Sequence, residues 1–91
     1  MAAPEPYSKT PVYDADSLPE AIRNAHNTKA GVWGLLRVIS GEVRLVFHEP
    51  RVEHLVKIGS PAVIPPQEVH HVEILGLMQM QVEFYREPPL G

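Results

Sequence analysis

The chain has 91 residues, a length that fits one domain (residues 1–91) with a modest core. Its net charge of −3 and scattered charged residues argue against a nucleic-acid binder, because no basic stripe is available to neutralise phosphates. The absence of cysteine excludes disulfides, thiolate metal sites and a cysteine nucleophile. No apolar run reaches the roughly 20 residues of a membrane span, and the N-terminus lacks a signal-peptide pattern. We therefore expect no membrane partner and a cytoplasmic location.

The N-terminal segment is rich in proline and predicts an extended arm (residues 1–12) that is either loose or added to a sheet edge. The segment "DSLPEAIRNAH" follows and predicts one short helix. Ser17 and Glu20 have the spacing of a capping box, and Pro19 is tolerated in a first helical turn. The apolar residues of this segment share one face at helical spacing: Leu18, Ala21, Ile22 and Ala25.

From Gly31 onward the pattern changes to short β-strands separated by glycine and proline. The predicted strands are, in chain order, "GVWGLLRVIS", "GEVRLVFHE", "HLVKI", "AVI", "HHVEIL" and "MQMQVEFYR". In the last run apolar and polar residues alternate, with Met78, Met80, Val82 and Phe84 on one face and Gln79, Gln81, Glu83 and Tyr85 on the other. This pattern is typical of an all-β antiparallel sandwich or small barrel.

The stretch "GSPAVIPPQEVHHVEILG" has the most specific spacing in the chain. Gly59, Pro65 and His70 are spaced as in the second conserved motif of the cupin superfamily, and the stretch is similar to that motif. The cupin motif has a glycine where Gln67 stands and an asparagine where Ile74 stands. The likeness implies that His70 begins a strand at the mouth of a barrel, where ligands and metals tend to lie.

The first cupin motif, His-x-His followed by Glu and Gly, is matched only in part. Gly41 is the candidate for its glycine, whereas Gly34 stands at the Glu position and Thr28 at the second His position. Only His26 precedes them at a distance that suits a motif histidine. A standard cupin site of several His and one Glu therefore cannot be assembled from this chain.

Over roughly residues 7 to 87 the chain resembles the small TehB-like (YeaR-like) cupin family, associated by name with tellurite resistance. The resemblance is carried by the runs "HNTKAGVWGLLRVISGEVRL", "IPPQEVHHVEI" and "QVEFYRE". It implies a single-domain cupin-like antiparallel β barrel (a double-stranded β-helix or jelly roll) with one short N-terminal helix and a bound divalent metal. It does not imply an established reaction.

Carried over residue by residue, the resemblance implicates His26, His70, Glu73 and Glu83 as metal ligands. Because the chain has no cysteine, His and carboxylate ligands would suit Zn, Fe, Mn or Ni, and two His with one carboxylate also suit non-haem iron. Structural alternatives stay open for three of these residues. His26 is favoured by the dipole at a helix C-terminus, His70 suits a hydrogen-bonded turn, and Glu83 suits a solvated strand face.

Strand parity supports a second interpretation of the double histidine. In a regular strand His70 shares a face with Val72 and Ile74, whereas His71 and Glu73 point to the opposite face. His70 and Glu73 converge only if His70 lies in the turn or a bulge intervenes. Parity alone favours a His71–Glu73 pair, and the family spacing favours His70.

Three further residues are candidates for a ligand pocket: Trp33, Arg37 and His71. Trp33 is either a pocket wall or a core anchor. Arg37 either points inward and holds an anionic ligand or pairs across strands with Glu42 or Glu83. His71 is either a group near the ligand or a solvent-facing residue.

The first functional hypothesis is a metal-binding cupin with a stress-response role, whose ion polarises an oxygen-rich small ligand or activates water or dioxygen. The resemblance suggests tellurite or another oxyanion as that ligand. The alternative is a non-catalytic small-ligand-binding or sensor module whose metal is structural or absent, and a protein acting through its dimer surface is a third interpretation. The sequence leaves open whether the protein is an enzyme. A homodimer is expected, because a small sheet must cover its edges.

Overall fold

The computed structural model describes residues 5–89. Its elements are β1 (Ser8–Lys9), β2 (Tyr13–Asp14), α1 (Glu20–Arg23), β3 (Trp33–Ser40), β4 (Glu42–His48), β5 (Arg51–Lys57), β6 (Ala62–Ile64), β7 (His70–Ile74) and β8 (Gln79–Tyr85). The strands predicted from the glycine- and proline-punctuated pattern correspond to β3 to β8, so the all-β prediction is confirmed. Within residues 5–89, no helix has the length and apolar character needed to cross a membrane.

The strands form two antiparallel sheets. Sheet A has the order β1-β8-β3-β6, with β2 also pairing β8, and sheet B has the order β5-β4-β7. The consecutive strands β3 and β4 belong to different sheets, so the chain crosses from one layer to the other at the turn between them. In the described range the two sheets remain separate, so the cupin-like jelly roll and the closed barrel are not confirmed.

The core lies between the two sheets because alternate residues of their strands are apolar. It joins residues of both layers, among them Leu36, Val38, Met80 and Val82 from sheet A and Val43, Leu45, Val56 and Val72 from sheet B. The alternation predicted for the last strand is confirmed, since Met78, Met80 and Val82 are buried and Phe84 packs against the same cluster.

The N-terminal arm adds to sheet A. The backbone N–H of Tyr7 donates to the carbonyl of Phe84 and that of Thr10 to the carbonyl of Val82, both at 2.9 Å. Of the two alternatives for this arm, the sheet-edge one holds from Tyr7 onward, while residues 1–4 of the predicted arm lie outside the described range. The arm pairs with β8 of its own chain, and the homodimer stays a prediction.

The predicted helix is reduced to one turn. It begins after Pro19, and no side chain caps it. The Ser17 hydroxyl instead accepts a hydrogen bond from the backbone N–H of Asp14 at 2.8 Å, so the capping-box prediction is wrong. Leu18 reaches the core just ahead of the turn, whereas Ala21 is exposed.

The turn between β3 and β4 requires glycine. Gly41 has a φ of +69°, in the left-handed region that side chains disfavour. A Cβ at this position would overlap the carbonyl oxygen of Leu77 and lie 3.1 Å from the Cα of Met78. The turn that precedes β8 therefore packs directly against the turn that begins sheet B.

Candidate functional site

The structure brings His26 and His70 together at one end of the core. His70 is the first residue of β7, and His26 lies on the segment between α1 and β3. Their backbones exchange two hydrogen bonds, at 2.9 and 2.8 Å, and their ring centroids are 4.2 Å apart. Residues far apart in sequence thus hold the two imidazoles in fixed positions.

Hydrogen bonds to backbone carbonyls define the orientation of both rings. The Nδ1 of His70 lies 2.7 Å from the carbonyl oxygen of Glu68, and the Nδ1 of His26 lies 3.0 Å from that of Asn24. A carbonyl oxygen only accepts, so each Nδ1 carries a hydrogen and each neutral ring keeps a lone pair on Nε2. Within residues 5–89, neither Nε2 has a protein hydrogen-bond partner.

His70 is only 2% exposed. Across the described range, no fully buried side-chain nitrogen or oxygen lacks a partner, so the unpaired Nε2 of His70 must reach open space. Burial lowers the pKa of His70 below its ordinary value of 6.5, the bond to the Glu68 carbonyl opposes this, and the adjacent His26 lowers the pKa further. His70 is therefore neutral at neutral pH.

The open space next to these rings is a pocket of about 400 Å³ lined by the N-terminal arm, the segment after α1, sheet A and strand β7 of sheet B. Its walls are mainly apolar, with Leu36, Ile64, Val72, Val82 and Phe84 among them. Among the described residues no Asp or Glu lines it, and Lys29 is the one Lys or Arg of residues 5–89 in its lining. A largely apolar cavity with a few fixed polar groups is the usual form of a small-molecule site.

Thr28 and Gln67 connect two loops beside the pocket. The Thr28 hydroxyl donates to the carbonyl of Pro65 at 2.9 Å and accepts from the backbone N–H of Gln67 at 3.1 Å. Gln67 has a φ of 62°, the left-handed conformation that favours the glycine of the cupin motif. These bonds hold the turn before His70 in position.

Glu83 lies on the opposite face of sheet A, away from His26 and His70. Its Oε1 accepts hydrogen bonds from Arg37 Nε and from the Tyr85 hydroxyl, each at 2.8 Å. Burial raises the pKa of Glu83, but these two bonds outweigh burial and hold the pKa below its ordinary value. Of the alternatives for Arg37, the structure shows the cross-strand pair with Glu83.

Glu73 and His71 lie together on the outer face of sheet B, as strand parity alone indicated. His71 Nε2 donates to Glu73 Oε2 at 3.0 Å, and His71 Nδ1 accepts from His48 Nε2 at 2.7 Å. Arg44 also donates to Glu73 at 3.0 Å. The bonds from His71 and Arg44 lower the pKa of Glu73.

The predicted metal ligands therefore do not converge. His26 and His70 border the pocket, while Glu73 and Glu83 face away from it on two different sheets, because residues an odd number of positions from an inward-facing residue point outward. Within residues 5–89, no group of three or more His, Cys, Asp or Glu residues is arranged to hold a metal ion. The candidate pocket residues Trp33, Arg37 and His71 also lie outside the pocket lining.

Sequence reasoning missed the pocket walls. Leu36, Val72 and Val82 were visible as members of alternating strands, but a strand pattern does not distinguish core packing from a cavity wall. Thr28 and Lys29 belong to a run that carried the family resemblance, but the resemblance gave neither residue a role in a pocket. Their position shortly after His26 in the sequence is the feature that could have placed them near the site.

The protonation of His70 leads to a pH-dependent stability. In the unfolded chain His70 takes up a proton at the ordinary pKa of 6.5, whereas in the folded protein it takes up this proton at a lower pH. The stability that the neutral form of His70 contributes is therefore fully present above the ordinary pKa. As the pH drops toward the lower folded-state pKa, the free energy of unfolding falls by at most about 1.4 kcal/mol per pH unit for one proton. Urea unfolding at a series of pH values is expected to show a smaller acid-side slope for His70→Phe than for the wild type.

The exposed residue His54 provides the matched control for this measurement. His54→Phe is expected to keep the wild-type slope. An unchanged slope in His70→Phe would contradict the assignment of the proton to His70.

Comparisons with known proteins give a clear relationship. Two curated relatives from Haemophilus influenzae, strains 10810 and KW20/Rd, are each named probable S-adenosyl-L-methionine-dependent methyltransferase TehB. Each is 36% identical to this chain, and the match covers 76% of this chain and 26% of the relative. The chain thus spans about a quarter of the length of these relatives.

Two solved structures have the same fold. The crystal structure of TehB from Haemophilus influenzae has a TM-score of 0.81 and 30% identity, and the match covers 91% of this chain and 31% of that one. A protein from Escherichia coli (strain K12) has a TM-score of 0.82 and 22% identity, covering 93% and 92% of the two chains. The second likeness shows the fold alone.

The relatives overturn the first functional hypothesis. They are named as methyltransferases that depend on S-adenosyl-L-methionine, so the interpretation of the chain as a metal-binding cupin is wrong. The predicted Zn, Fe, Mn or Ni cofactor is wrong for the same reason, and the separation of the predicted ligands on different faces agrees with this correction.

The family resemblance is confirmed at the level of the TehB-like domain, and the cupin and YeaR-like part of it is not confirmed. The match to the TehB-like domain runs over residues 8–82, which is most of the chain. It includes the N-terminal strands, both pocket histidines and most of β8. This chain belongs to the TehB-like domain family.

Proposed function

We propose that this chain is the acceptor-binding domain of a methyltransferase-related protein, which holds a small and largely apolar methyl acceptor. The observation that carries the proposal is the pocket of about 400 Å³ whose apolar walls end at two oriented imidazoles. The names of the relatives support it, since those proteins are described as methyltransferases and the chain spans about a quarter of their length.

The pocket does not fit S-adenosyl-L-methionine itself. That molecule carries a sulfonium cation and a ribose diol, and nucleoside riboses are typically bound through an Asp or Glu carboxylate. In the part of the chain that the structure describes, the pocket lining has neither residue. The glycines with positive φ, such as Gly31, Gly41 and Gly59, are dispersed in separate turns instead of forming a cofactor loop. We therefore assign the methyl acceptor to this pocket and the methyl donor to a binding site outside it.

The residues of the pocket have different roles in binding the acceptor. Leu36, Val72 and Val82 supply apolar contact and exclude water, which favours an apolar ligand body. His26 and His70 supply the polar groups that orient it. Lys29, exposed beside the pocket, contributes a positive charge where solvent still screens it.

Binding of thymol, a small apolar phenol, tests the proposal. We expect thymol to shift the NMR signals of pocket residues such as Leu36 and Val72, while Arg37 and His71 on the outer faces stay unchanged. S-adenosyl-L-methionine is expected to shift none of them. Val72→Phe should weaken thymol binding roughly tenfold or more by filling the pocket.

A matched variant controls for the added bulk. Val52 is 40% exposed and does not line this pocket, so Val52→Phe is expected to keep the wild-type affinity. Absence of thymol binding up to millimolar concentration would overturn the proposal. Binding of S-adenosyl-L-methionine in the pocket would overturn the assignment to the acceptor.

A further inference from the structure

Two hydrogen-bond acceptors face the pocket without a protein donor. Both Nδ1–H groups are occupied by backbone carbonyls, so each imidazole presents the lone pair of its Nε2 to a ligand, while Ser8, Asn27 and Lys29 are further polar residues of the lining. The hydroxyls of Thr10 and Thr28 are already used, each donating to a proline carbonyl. A ligand at the imidazole end of the pocket therefore needs a hydrogen-bond donor.

We infer that the pocket selects a neutral molecule bearing an O–H or S–H donor, which is the unmethylated acceptor, and discriminates against its methylated product. The inference rests on the proposed function and names the ligand class of the same site. It replaces the oxyanion expected from the sequence with a neutral hydroxyl or thiol compound.

Charged ligands fit this arrangement less well. At the imidazoles a carboxylate or oxyanion offers only lone pairs, so it would require a proton on a ring that is 2% exposed and lies 4.2 Å from a second imidazole. Lys29, the cation of the described lining, is exposed to solvent that screens its charge. A cation would enter a pocket with no Asp or Glu in its lining to balance it. A neutral donor avoids both costs.

Methylation removes the group that the imidazoles recognise. An acceptor X–H reacts with a sulfonium donor to give X–CH₃, a thioether and a proton. The X–H and S–CH₃ bonds break, the X–C bond forms, and the electron pair of the S–CH₃ bond stays on sulfur. The proton passes to solvent. The product keeps the apolar body but has no hydrogen for either Nε2, so the acceptors of His26 and His70 are left unpaired when it binds.

Thymol and thymol methyl ether form the matched pair of probes, because they differ only by this replacement. Isothermal titration of the wild-type protein at neutral pH is expected to show thymol binding roughly tenfold more tightly than its methyl ether. Para-isopropylbenzoate, of similar body and negative charge, is expected to bind more weakly than thymol. Equal affinity of thymol and its ether would overturn the inference and leave the proposed function standing.

Variants of the histidines locate the selectivity. His70→Phe keeps a ring but removes the acceptor, so thymol and its ether are expected to bind it with similar affinity. His71→Phe changes the adjacent residue on the opposite face and is expected to keep the wild-type preference. If His70→Phe does not fold, as judged by its thermal transition, His26→Phe provides the same test at a less buried position.

The outcomes separate the two proposals. No binding of either probe to the wild type would overturn the proposed function together with this inference. Selectivity that persists in every folded histidine variant of the pocket would overturn the inference alone. Selectivity lost in His70→Phe or His26→Phe and kept in His71→Phe supports both.

Discussion

Replacement of Gly41 by alanine is expected to lower the free energy of unfolding by roughly 3 kcal/mol or more. The left-handed φ of +69° disfavours any side chain, and the added Cβ would overlap the Leu77 carbonyl oxygen. The nearest obstacles are backbone atoms of Leu77 and Met78, which cannot rotate away as a flexible side chain would. Relief therefore requires one of the two packed turns to move, which disturbs the start of β8.

Urea unfolding of the variant measures this cost, and Gly31→Ala is its matched control. Gly31 has a similar φ of +76°, but nothing lies within 4 Å of its Cβ position. Its replacement is expected to cost only the backbone strain, about 1–2 kcal/mol. Equal losses in the two variants would contradict the close packing of the two turns.

Truncation of Leu45 is expected to have the second large effect. Leu45 is 0% exposed and belongs to the core cluster between the two sheets. Leu45→Ala removes buried apolar surface and leaves a cavity, a change that costs about 3–4 kcal/mol in a rigid core. Domains of this size have total stabilities of roughly 5–10 kcal/mol, so the variant should retain only part of its stability.

Leu55→Ala is the matched control, because this leucine is on the neighbouring strand β5 and is 48% exposed. Its truncation is expected to cost less than about 1 kcal/mol. Thermal and urea unfolding of both variants provide the comparison. A small effect of Leu45→Ala would mean that the two sheets pack less closely at this point than the buried residues indicate.

The strands were predictable because a strand that faces the core on one side has apolar and polar residues in alternation. β8 illustrates this, since its apolar residues Met80 and Val82 point into the core, whereas Glu83 and Tyr85 lie on the opposite face, where both are also buried. The closure of the fold was not predictable in the same way. Which strands pair depends on contacts between segments far apart in the chain, and two separate sheets and a barrel share the same local pattern.

The candidate site shows where local reasoning was sufficient and where it was not. Parity placed His71 with Glu73, and the structure has that pair at 3.0 Å. The four-residue ligand set taken from the family resemblance included Glu73 against its strand parity, and Glu83 from the outer face of β8. The contact of His26 with His70 depends on a bridge between the segment after α1 and the start of β7, for which no local pattern exists.

The helix is shorter than predicted because a turn competes with it for the same residues. The sequence "DADSLPE" has both a capping-box spacing and the Asp and Ser residues that stabilise turns. In the structure the carboxylate of Asp14 accepts from the backbone N–H groups of Asp16 and Ser17, at 2.9 and 2.8 Å. This turn uses Ser17 before the helix begins, so the helix starts late and remains one turn long.

The position of β8 has a consequence for synthesis on the ribosome. This strand pairs with β3 on one side and with β1 and β2 on the other, yet it follows all the other strands of residues 5–89 in sequence. Until it emerges, β3 and the N-terminal strands have no partner on that side, and the pocket lacks the wall formed by Val82 and Phe84. The two sheets of this domain can therefore be completed only after β8 has emerged, and a nascent chain that stalls before β8 presents an open, aggregation-prone edge.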